Sequence, residues 1–165
     1  MKLALNYLTF SISITFISWI IGLIVNFLLR ETSFYKNKLS NLNFIKNEDT
    51  NKSIGLYIVK WTIKNTFFKF FNQKLKLNGR ITVSELKILR NEMTKSEIDH
   101  LIAFVFVIPF AIFRIFNQQY LFATLIMVVN TLMNLYPSLL QQQNKRRIDK
   151  SSLMSFNYHD TYSRE

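Results

Sequence analysis

No charged residue lies between Lys2 and Arg30, and the stretch they enclose, Leu3 to Leu29, is mostly apolar, with Trp19, Gly22 and several Ser and Thr. About 20 apolar residues suffice to cross a hydrocarbon core of roughly 30 Å, so this run can span a membrane with some tilt. A cleaved signal peptide is the rival reading. Against it, the run exceeds an ordinary h-region, the n-region holds one lysine, and no A-x-A site appears. The segregation recurs at Leu101 to Phe116 and Tyr120 to Leu140, with the charges gathered between the runs. A soluble domain would interleave the two kinds of residue at a period of 3.6 or 2. The expected fold is therefore an all-α membrane protein.

Composition narrows the function classes. The chain of 165 residues carries a formal charge of +11 and no cysteine. Disulfides, thiolate metal sites and cysteine nucleophiles are excluded. The basic excess would suit nucleic acid, but aromatics make up 15% of the chain and sit within apolar runs. Attraction to an anionic leaflet, at roughly 1 kcal/mol per surface Lys or Arg, explains the charge more simply. The expected partner is the lipid bilayer, not nucleic acid.

Four regions follow: an N-terminal transmembrane helix over 1–29, a basic segment over 30–98, a transmembrane helical hairpin over 99–140 and a basic tail over 141–165. Within the second, residues 54–71 are apolar but punctuated by Lys60, Lys64 and Lys69. That pattern suits an amphipathic interfacial helix. A helix packed on a soluble partner is the alternative. Asn78-Gly79 signals a turn. Thr82 with Glu85 forms a capping-box pattern that opens a helix, and Thr94 with Glu97 repeats it, predicting a new helix at Thr94.

Only Asn117-Gln118-Gln119 separates the last two runs, which leaves room for little except an antiparallel hairpin. Arg114, near its tip, would snorkel to the interface. The segment from Arg30 to Asp99 holds 14 Lys and Arg against 7 acidic residues. The tail after Leu140 holds five against three. Under the positive-inside rule both lie in the cytoplasm, with the N-terminus and hairpin tip outside a cell (inner) membrane. Three spans are expected; a single anchor with a re-entrant hairpin is the alternative.

Two clusters place polar groups where a plain anchor would not need them. Glu97 and His100 share a helix face at the mouth of the second run. Asn130, Asn134 and Gln141 form a stripe on the third, with Asn144 and Arg146 just beyond. In an antiparallel hairpin the start of one helix lies beside the end of the other, so the two clusters are expected to meet. Histidine exchanges protons near neutrality and a carboxylate can orient it, while amides and guanidinium groups can hold an oxyanion or an anionic donor. The structural alternative is a solvated histidine beside asparagines that join helices, as in a non-catalytic subunit of a larger membrane complex. Glu97-x-x-His100 is half of a di-iron motif, but no second copy exists, so no metal is expected.

The block Glu97-x-x-His100, apolar run, short tip, then Asn130-x-x-x-Asn134-x-Tyr136-Pro137-x-x-x-Gln141-x-x-Asn144-x-Arg146 resembles the glycosyl-4,4'-diaponeurosporenoate acyltransferase family of staphyloxanthin-type carotenoid synthesis. Gly55, Tyr57, Lys60 and Trp61 would supply its middle region. The resemblance implies transfer of a fatty acyl group from a thioester donor to a sugar hydroxyl of a glycosylated carotenoid or related glycolipid, with no bound cofactor. On that reading His100 is the general base, Glu97 orients it, and Asn130, Asn134, Gln141, Asn144 and Arg146 contact the substrates.

Overall fold

A computed structural model describes residues 2–42, 44, 55, 61 and 82–162; the segment expected to form the interfacial helix lies almost wholly outside them. The described residues are helical, with no strand. Helix α1 covers Lys2–Leu29, α2 covers Ser33–Asn37, and a single 3₁₀ turn follows at Leu39–Asn41. Helix α3 runs Val83–Phe116 and α4 runs Tyr120–Asn130. A π-helical segment at Thr131–Leu135 then leads into α5, Tyr136–Tyr162. Three stretches, Lys2–Leu29, Ser84–Phe116 and Tyr120–Lys150, are long and apolar enough to cross a membrane.

The capping box at the start of α3 forms as the sequence suggests. The Thr82 N–H donates to Glu85 Oε2 at 2.8 Å, and the Glu85 N–H returns a bond to Thr82 Oγ1 at 3.3 Å. The second expected start, at Thr94, does not occur. Helix α3 passes through that position unbroken, and the Thr94 hydroxyl donates to the Arg90 carbonyl at 2.9 Å. A threonine mid-helix can satisfy its hydroxyl one turn back, so the same residues that cap a helix can also sit inside one. At the other end, Gln118 at φ 58° and a bond from the Gln119 N–H to the Arg114 carbonyl close the helix. Arg114 stays at this turn: its guanidinium lies 4.4 Å from the Phe122 ring centroid and bonds Gln119 Oε1 at 3.1 Å.

The chain divides into two compact units, the first formed by Met1–Leu42 and Lys95–Leu139. In it, α1 buries a face of small and polar residues: Ser11, Ile14, Thr15, Ser18, Gly22 and Asn26. Its large side chains, such as Leu3, Phe16, Ile20 and Leu28, stay exposed. This is the reverse of a soluble amphipathic helix, and it is what lipid solvation favours. Ser11, Thr15 and Ser18 return their hydroxyls to carbonyls of the same helix at 2.7–2.8 Å, so that face buries no unsatisfied serine or threonine. An apolar cluster of Ile14, Val107, Ala111, Phe122 and Ile126 fills the space among α1, α3 and α4. Tyr7 stacks on Phe122 with ring centroids 4.0 Å apart.

These pairings fix the helix directions inside the unit. Residue numbers fall along α3 as they rise along α1 and α4, so α3 is antiparallel to both. The closest approach is at Gly22, where an added Cβ would run into the backbone carbonyl oxygen of Asp99. The second unit, Asn43–Thr94 and Leu140–Glu165, contains the other end of α3 and most of α5. There Leu86, Met93 and Ile148 form a small core, and Arg90 Nε pairs with Asp149 Oδ1 at 2.7 Å.

Because the group opposite Gly22 is backbone, it cannot rotate away. Gly22→Leu is expected to lower stability in detergent by at least the 1–3 kcal/mol typical of overpacking, with Gly22→Ala intermediate. Thermal unfolding followed by circular dichroism would measure this; an unshifted melting curve for Gly22→Leu would contradict the close α1–α3 approach.

Candidate functional site

Polar side chains gather in the first unit around Asn134. Its Oδ1 accepts from Trp19 Nε1 at 2.7 Å, and its Nδ2 donates to Asn130 Oδ1 at 2.8 Å and to Ser18 Oγ at 3.1 Å. Asn130 Nδ2 in turn donates to the Phe104 carbonyl at 3.0 Å. Asn134 therefore ties three helical segments together, and both asparagines have their amides engaged by the protein. The resemblance implies substrate contacts for these residues; in this structure their amides bond to other parts of the protein.

His100 borders this network. Asn134 lies beside it, and the Trp19 indole meets its ring edge-on with centroids 6.1 Å apart. Its Nδ1 is buried and has no hydrogen-bond partner among the described residues. The Glu97 carboxylate, one helical turn away and fully buried, thus does not hold that nitrogen. Nearby, burial first, then the Asp99 charge, holds the Tyr35 hydroxyl above its ordinary range, and Glu97 adds a smaller push in the same direction. Arg30 and Asn26 pull the other way. Asn26 also donates to Asp99 Oδ1 at 2.6 Å and to the Lys95 carbonyl at 3.1 Å.

The π-helical segment matters to this layout. Pro137 has no N–H and crowds the carbonyl four residues back, so a plain α-helix would be interrupted here. Instead the Tyr136 N–H reaches the Thr131 carbonyl, five residues away. In an α-helix, residues four apart drift by about 40° around the axis. A stretch bonded i to i+5 turns less per residue and cancels part of that drift. Asn130, Asn134 and Ser138 accordingly all face inward with no exposed surface.

The remaining predicted residues belong to the second unit. Gln141 and Asn144 adjoin, with Asn144 Nδ2 3.5 Å from Gln141 Oε1, and Asn144 also approaches Met93 Sδ at 3.9 Å. Arg146 is half-buried. Gln142 and Lys145, which the sequence reading passed over, are more deeply buried than either neighbour, and Gln142 Oε1 accepts from the Phe44 N–H at 3.0 Å. Also missed were Ser18, Trp19 and Asn26 of α1. Their signal was present as Ser, Thr, Gly and Asn recurring every three or four residues in an apolar run.

Apolar helices that turn small and polar faces inward, around a half-buried histidine braced by amides, define a helical membrane protein with a polar interior layer. Residues 31–152 match the model of the glycosyl-4,4'-diaponeurosporenoate acyltransferase family, and the chain belongs to that family. No curated protein and no solved structure matches it. The family match begins after α1, so Trp19 and Asn26 fall outside it, while His100 and Asn134 fall within.

Because Asn134 is the brace, replacing it with leucine of similar size strands Trp19 Nε1 and Asn130 Oδ1 at once. Asn134→Leu is expected to cost about 1–3 kcal/mol and to shift Trp19 emission. Fluorescence in a Trp61→Phe background would report it, and an unchanged spectrum and stability would show that the network is dispensable.

Proposed function

We propose that this chain is a membrane acyltransferase that moves a fatty acyl group from a thioester to a sugar hydroxyl of a glycosylated carotenoid or related glycolipid. The family supports the reaction class, and one observation supports the residue: His100 presents a buried, unpaired ring nitrogen in an otherwise satisfied amide network.

In this mechanism the acceptor hydroxyl gives its proton to His100 as its oxygen attacks the thioester carbonyl. The tetrahedral intermediate collapses, the C–S bond breaks, and the departing thiolate takes the proton from the imidazolium. Glu97 stabilises that transient cation through space, and Asn134 and Asn130 fix the ring's position. The active orientation puts the N-terminus and the 117–119 turn outside, with the basic segment and tail on the cytoplasmic side of a cell membrane.

His100→Ala is expected to abolish the acylated product while the protein inserts and accumulates normally. Mass spectrometry of glycolipids from cells producing each variant tests this, and full product from His100→Ala would remove the histidine from the mechanism. Orientation is checked separately. The chain has no cysteine, so single substitutions label cleanly. Asn117→Cys is expected to react with an impermeant maleimide on intact cells, and Lys150→Cys only after lysis; the opposite pattern would invert the topology.

A further inference from the structure

Two more buried side-chain atoms of the first unit share the condition of His100 Nδ1. Ser138 Oγ and Asn26 Oδ1 have no hydrogen-bond partner among the described residues, although Ser138 has no exposed surface and Asn26 only 3%. Leaving such a group unpaired costs about 1–3 kcal/mol, so each needs a reason.

Their places in the helices are related. Asn130 bonds the Phe104 carbonyl and Asn134 neighbours His100, so one antiparallel register joins the two helices. Continued by one turn, that register sets Ser138 at the level of Glu97. On α1, Asn26 bonds the Lys95 carbonyl and the Asp99 carboxylate, which bracket Glu97, so Asn26 lies at that same level. The residues that carry the three unpaired atoms thus lie within about one helical turn of one another along α3. Gly22, with no side chain and the Asp99 carbonyl pressed against it, lies beside the level of His100.

We propose that Ser138 and Asn26, together with His100, hold neighbouring hydroxyls of the acceptor's sugar. The inference rests on the acyl-transfer reading and extends it. Asn26 Oδ1 can only accept, so it calls for a donor such as a sugar O–H; Ser138 Oγ can accept one and donate another. His100 Nδ1 takes the hydroxyl that reacts. Ser138 and Asn26 are positioning residues, which choose the hydroxyl presented to the base. A hydroxyl-rich ligand satisfies all three atoms at once, whereas a bare alkyl alcohol could satisfy one. Mismatch of that kind is what lets a buried polar site reject a ligand lacking the hydroxyl.

Binding tests this without requiring catalysis. Full-length protein with Trp61→Phe is placed in lipid nanodiscs, and Trp19 emission is titrated with a long-chain alkyl glucoside or with the alcohol of the same chain. The expected result is a saturable change with the glucoside, little with the alcohol, and about tenfold weaker glucoside binding in Ser138→Ala. Asn26→Leu should act in the same direction; because it also cuts the link to Asp99, Ser138→Ala decides the matter if that variant does not fold. Equal responses to glucoside and alcohol, or binding by Ser138→Ala within twofold of the parent, would overturn the proposal and leave water as the occupant. A glucoside preference in a protein that transfers no acyl group would uphold this site while refuting the proposed reaction.

Discussion

Everything in the first unit depends on how closely α1 approaches α3 at Gly22. In a bilayer, apolar surface gains nothing by leaving lipid for another helix, so association rests on close packing and on hydrogen bonds. Gly22 permits the approach because its missing side chain is replaced by the Asp99 carbonyl. Once the backbones are that near, Asn26 reaches across to Asp99 and Lys95, and Ser18 and Trp19 reach Asn134. A larger residue at 22 would separate the helices and lengthen all of these bonds together. The small-and-polar seam is thus the cause of the polar layer rather than an accompaniment to it.

How much of this the sequence shows depends on the range of the interaction involved. The three apolar runs are plain because hydrophobicity is a local property. The capping box at Thr82 is plain because its two partners are three residues apart. Thr94 misled for the same reason: the capping pattern is local, but whether a helix starts there depends on whether one is already running. The role of α1 was hidden because a span that merely anchors and a span that carries a polar seam have similar hydropathy. Only the spacing of Ser11, Thr15, Ser18, Gly22 and Asn26 tells them apart. Ser138 was invisible, since nothing local marks a serine as buried without a partner.

Pro137 shows how an apparent defect supports the layout. A proline in a spanning helix forfeits a backbone bond, which lipid cannot replace. The π-helical segment absorbs that loss and rotates the following turn, bringing Ser138 beneath Asn134 rather than to one side. Without it the stripe would drift toward lipid, where an uncompensated polar side chain is costly. π-Helical turns of this sort occur often at functional sites, and here one aligns the polar stripe.

The contrast among buried polar groups separates architecture from function. Asn130 and Asn134 have protein partners for their amides, as braces should; their work is finished when the chain folds. His100, Ser138 and Asn26 sit among them and each leaves one atom unpaired. Had these three served only to join helices, apolar side chains of similar shape would do so without the desolvation penalty. An unpaired atom in an otherwise satisfied network lowers the stability of the empty protein and raises the affinity of whatever completes it. That trade suits the proposed ligand, which arrives after folding and brings several hydroxyls in fixed relation. A sugar carried on a membrane lipid has that form.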